Sequence, residues 1–134
     1  TQVKGAANAL DGTGAANVAN VNTEGGLPVM HRVNIAAGAN GDTDVVLTHK
    51  TRVVDAWVVL TGAGVASAVL TVKNGANAIT DGIAASGVDT TLTRAGTIND
   101  AQHEIAAAGT LRVTGSGGAT QPAATVYVLG IRVS

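Results

Sequence analysis

Two stretches of the chain share one pattern, and that pattern restricts the fold more than any other feature. In 57–72, Trp57-Val58-Val59-Leu60 leads through Thr61-Gly62-Ala63-Gly64 into Ala68-Val69-Leu70-Thr71-Val72. In 111–133, Leu111-Arg112-Val113 leads through Thr114-Gly115-Ser116-Gly117 and a polar bridge into Ala124-Thr125-Val126-Tyr127-Val128-Leu129. Each is a β-branched run, a glycine-bearing turn and a second β-branched run, which reads as strand, turn, strand. The expectation is two hairpins, with 66–73 pairing back on the run before it.

The remainder from Pro28 onward fits the same class. Val29, His31, Val33 and Ile35 alternate with Met30, Arg32 and Asn34, as in a half-buried strand. Residues 36–44 are a turn region, and 45–48 a short strand. Residues 52–61 form the longest apolar run, whose Val content suggests a central strand covered on both faces. Asn74-Gly75 is a turn signal, and 77–80 and 92–94 read as short strands. One segment favours a short helix: Asp100 as N-cap, 101–107 as at most two turns, Gly109 as the stop. About eight strands at short spacing predict an all-β, single-domain antiparallel β-sandwich over 28–134.

Residues 1–27 differ. Val3, Leu10, Val18, Val21 and Leu27 stand isolated among Ala, Asn, Gly and Thr, and glycines at 5, 12, 14, 25 and 26 interrupt any periodicity. This reads as an extended N-terminal arm, with a frayed terminus as the alternative. As a functional arm it would touch a partner through Val3, Lys4, Leu10, Val18 and Val21.

Composition narrows the function. The 134 residues suffice for one core. That core has no Phe, one Trp and one Tyr to draw on, so Val, Ile, Leu and Ala must fill it. Trp57 is expected to be at least partly buried as the largest packing unit. A formal charge of −1 argues against a nucleic-acid footprint. No apolar run approaches the ~18 residues of a membrane span. With no cysteine, thiol chemistry and disulfides are excluded.

Reactive constellations are sparse. Ser67, Ser86, Ser116 and Ser134 sit outside any nucleophile elbow. His31, His49 and His103 are scattered, without the spacing of a zinc pair. Asn40-Gly41-Asp42-Thr43-Asp44 has oxygen donors at alternate positions but lacks the later bidentate Glu of a calcium loop, so an ordinary turn is preferred. Asp55 interrupts an apolar strand. It is either a base with a raised pKa or, preferably, the partner of an arginine such as Arg112 or Arg132, or solvent-exposed. His49-Lys50-Thr51-Arg52 is the one cationic cluster, a strand connection or a rim contact for an acidic partner through His49, Lys50 and Arg52. No catalytic residue, metal ligand or cofactor is assigned.

With the strands placed, a likeness emerges in Arg52-Val53-Val54-Asp55-Ala56-Trp57, Leu70-Thr71-Val72-Lys73-Asn74-Gly75, Thr97-Ile98-Asn99-Asp100 and Val126-Tyr127-Val128-Leu129-Gly130-Ile131-Arg132. Across about 52–133 the chain resembles the small head proteins of tailed bacteriophages, the capsid decoration or cement proteins. The resemblance implies a jelly-roll-like sandwich on the outer surface of the virion, made in the host cytoplasm. It also implies the major capsid protein as partner, homotrimers as a frequent state, and no catalytic residues. Rival readings are a phage fibre domain, an adhesin subunit completed by donor-strand exchange, or a jelly-roll carbohydrate-binding domain. The last is disfavoured because sugar sites use aromatic platforms and only two aromatics are present.

Overall fold

The computed structural model describes residues 27–133. Ten strands follow in order: β1 Leu27–Ile35, β2 Asp42–Val46, β3 Thr51–Leu60, β4 Val69–Asn74, β5 Asn77–Ala78, β6 Ile83–Ala84, β7 Leu92–Arg94, β8 Glu104–Ile105, β9 Thr110–Ser116 and β10 Ala124–Arg132. One antiparallel sheet has the order β1-β10-β3-β7, with β8 also on β3. The other has the order β2-β9-β4-β5, with β6 also on β4. The first four strands pair with β5 to β10 in nested fashion: β1 with β10, β2 with β9, β3 with β7 and β8, β4 with β5 and β6. Successive nested pairs lie in alternate sheets. This is the winding of a jelly roll, a double-sheet sandwich.

That winding corrects the two expected hairpins. β3 lies in one sheet and β4 in the other, and β9 and β10 are divided in the same way. The glycine-bearing segments 61–68 and 117–123 are therefore bridges between layers. Segment 61–68 is held by Gly64 N–H donating to Gly87 O at 2.8 Å and Val65 N–H to Ala85 O at 3.2 Å. The true local hairpin is at Asn74-Gly75, where Gly75 takes φ +59° and β5 turns back on β4.

The core lies between the sheets. Val33, Ile35, Val53, Ala56, Val58, Leu60, Leu70, Val72, Leu111, Val113, Val126 and Val128 are all buried, at the alternate positions the strands dictate. Leu47, Ile79, Ile83 and Ile105 complete it from short elements. β3 is central, as expected, but only one of its faces is covered: Val54 is 42 % exposed and Trp57 and Val59 are half-buried. Its inward positions run 51, 53, then 56, 58, 60. The break is a bulge. Leu129 faces Asp55 while Gly130 faces Val53, so Val54 is the extra residue and both Val54 and Asp55 point outward.

The expected helix over 101–107 is not formed. Asn99 Oδ1 accepts the Ala101 N–H at 3.0 Å, a side-chain turn that displaces Asp100 from any capping role. Glu104 and Ile105 then pair with Arg52 and Thr51. Burial of Ile105 in the core and the ion pairs of Glu104 outweigh the modest helix propensity of the alanines.

Candidate functional site

The two outer faces of the sandwich differ in chemistry. On the β2-β9-β4 face the outward residues include Asp42, Asp44, Val46, Thr71, Lys73, Thr110, Arg112 and Thr114. Arg112 is forked onto Asp44, with Nε to Oδ1 at 2.7 Å and Nη2 to Oδ2 at 2.9 Å, and lies 3.4 Å from Asp42. Thr114 Oγ1 donates to Asp42 at 2.7 Å. Arg112 holds the Asp44 carboxyl below its ordinary range. Apart from the exposed Val46 this is a polar surface, on which Arg112 is neutralised by Asp42 and Asp44.

The outer face of the β1-β10-β3-β7 sheet carries an apolar and aromatic centre flanked by charged side chains. The register sets its rows. Asn34, Thr125, Val59 and Leu92 form one; Arg32, Tyr127, Trp57 and Arg94 the next; Met30, Leu129 and Asp55 the third; Pro28, Ile131, Arg52 and Glu104 the fourth. Both aromatics of the chain are therefore neighbours on this surface. Their rings stack at 5.8 Å between centroids and 17° between planes. Trp57 is half-buried, as expected, yet it points away from the core. Met30 is 51 % and Leu92 56 % exposed.

The charges of this face lie at its margins. Asp55 pairs with Arg94, rather than with Arg112 or Arg132, and its Oδ1 also accepts the Ala56 N–H at 2.8 Å. Glu104 takes Arg52 at 2.6 Å and Lys50 at 3.1 Å, and both hold its carboxyl below the usual value, Arg52 first. The cationic cluster of the sequence is thus largely committed to one glutamate. Arg32, exposed on the edge strand, has no ion-pair partner among the described residues.

The other sequence candidates are placed as follows. Asp42 and Asp44 serve Arg112 and Thr114, and no group of three or more metal-ligating side chains is found among the described residues. Asp100 lies 3.6 Å from His103, whereas His31 and His49 line a different spot. There Val29, Leu47, Thr51 and Arg132 join them around a cavity of about 50 Å³, room for a water molecule or two. Burial lowers the His31 pKa. Ser67 sits in a positive-φ turn and Ser116 ends β9. Val3, Lys4, Leu10, Val18 and Val21 lie outside the described residues.

Sequence reasoning missed Met30, Arg32, Tyr127 and Leu129 as surface residues of one patch. The available signal was parity: Tyr127 lies between Val126 and Val128 and Trp57 between Ala56 and Val58, all four of which point inward. Comparison with protein-family models, with characterised proteins and with solved structures gives no match to this chain.

Proposed function

We propose that the chain is a structural virion protein that binds the outer surface of an assembled phage capsid and stabilises it. The observation that carries this reading is the inequality of the two sheet faces. A water-facing sheet surface is expected to be polar, as the β2-β9-β4 face is. The opposite face concentrates Trp, Tyr, Met and Arg, the residue types enriched in protein interfaces. Half-buried Trp57, Tyr127, Leu129 and Ile131 with exposed Met30 and Leu92 on one sheet face favour an interaction surface. The likeness of 52–133 to capsid decoration proteins supplies the partner, the major capsid protein. The jelly roll is shared by capsid and lectin domains, an analogy of fold alone.

The mechanism is mechanical. A protein that binds the assembled lattice and not its free subunits stabilises that lattice by mass action. The charged side chains support such a role, since most are engaged in ion pairs that hold strands together. A sugar platform is less well served, because the two aromatic rings stack on each other. The protein is proposed to act as a homotrimer, as the resembled family often does. Cosedimentation with empty heads of the cognate phage tests the function. Saturable binding in a fixed ratio to the capsid subunit is expected; protein left in the supernatant at micromolar concentration would remove the capsid reading.

A further inference from the structure

We infer that the protein lies with the β1-β10-β3-β7 face against its partner, and that this partner presents an apolar protein surface bearing carboxylates opposite Arg32. The inference rests on the capsid reading above and adds the contact face and the chemistry it selects.

The face suits a macromolecule rather than a small ligand. Three long strands and a short one, at about 4.8 Å spacing and about 3.3 Å per residue, span about 19 by 30 Å. With side-chain relief added, this approaches the ~800 Å² each partner covers in a standard protein complex. The row Arg32, Tyr127, Trp57, Arg94 crosses its middle, with Met30 and Leu129 in the adjoining row. Trp, Tyr and Arg dominate interface hot spots, most effectively at a desolvated centre.

Charge selects the partner. The face and its margin carry Arg32, Arg52, Arg94 and Lys50 against Asp55 and Glu104. Arg94 is matched by Asp55, and Lys50 and Arg52 share Glu104. On this face Arg32 is the cation with no ion pair among the described residues, and it stands beside Tyr127 on the edge strand. A guanidinium covered by a partner needs a carboxylate to replace its water. A basic partner would meet uncompensated repulsion, and a purely apolar one would leave Arg32 buried and unpaired. The opposite face forks its arginine onto Asp44 and carries Lys73 as a half-buried cation, but it has no aromatic residue to form a desolvated centre.

The test uses the full chain and empty heads of the cognate phage. Arg32→Glu and Trp57→Ala are compared with wild type and with Val46→Glu, which places a charge on the opposite face at a residue 65 % exposed. Arg32→Glu and Trp57→Ala are each expected to weaken binding at least tenfold, with Val46→Glu binding as wild type. Wild-type binding should weaken with salt more steeply than that of Arg32→Glu. Thermal melts check folding; should Trp57→Ala fail to fold, Arg32→Glu, at an exposed edge position, decides the matter. Wild-type binding with undiminished binding by Arg32→Glu overturns the assigned face and leaves the capsid function standing. Failure of wild type to bind heads removes the capsid function and this inference with it. If light scattering shows that Arg32→Glu alters the oligomeric state while head binding is unchanged, the face is covered by a second copy and the inference is overturned.

Discussion

Gly130 shows how one position can settle the geometry of a sheet. It sits on β10 where β3 bulges, and a Cβ placed there would lie 2.6 Å from Thr51 Cγ2 and 3.1 Å from the Arg52 carbonyl oxygen. Thr51 is itself buried, so its methyl group has little room to withdraw. Gly130→Ala is expected to cost about 1–3 kcal/mol, the range for overpacking a closed site, read as a lower midpoint in urea at unchanged slope. Wild-type stability would show that the bulge relaxes freely. The sequence shows Gly130 only as a glycine inside a strand, a signal of a bulge or a close approach. It does not show which strand bulges, because that depends on a partner some seventy-five residues away. The same holds for Asp55. Its interruption of an apolar run is plain in the sequence, but its partner Arg94 comes from β7 through the register alone.

Short strands were the least legible elements, for a physical reason. β7 is readable at Leu92–Arg94, whereas β8 reads as helix because alanine and an acid-bearing turn favour helix locally. Two residues of ladder on β3, the buried Ile105 and the glutamate ion pairs override that preference. The turn before β8 separates the two accounts. If Asn99 organises it, Asn99→Ala should cost about 0.5–2 kcal/mol, as for loss of a capping side chain, while Asp100→Ala should be near neutral, its side chain being 95 % exposed. The reverse order in denaturant midpoints would restore Asp100 as a helix cap. The glycine-bearing bridges join strands of different sheets, not hairpin partners. A Thr-Gly-x-Gly segment between two β-branched runs fits a hairpin and an arch between layers equally well, because both need a sharp change of chain direction. Pairing across the whole chain decides, as β10 takes β1 and β3 for neighbours and leaves β9 in the other sheet.

The sandwich as a unit gathers its acid sensitivity from three groups that titrate in the same direction. His31 faces inward from β1, and burial alone lowers its pKa from 6.5, so the folded protein favours the neutral ring. Asp44 and Glu104 are lowered from 3.8 and 4.5, by Arg112 in one case and by Arg52 and Lys50 in the other. For all three the unfolded chain binds protons at a higher pH than the folded one does, so stability falls as pH falls. His31 contributes first, from about pH 6.5 downward; the carboxylates follow below their ordinary values. The carboxylates are well exposed, and their share is small and screened by salt. These ion pairs join strands distant in sequence, β2 to β9 and β3 to β8, so their loss loosens both sheets together. The melting temperature is therefore expected to be flat above pH 7, to drop between pH 6.5 and 5, and to drop again below pH 4.5. His31→Gln should remove the first drop, and Asp44→Asn with Glu104→Gln should flatten the second. A first drop that survives in His31→Gln would mean that another group supplies it and that burial of His31 does not govern stability in this range.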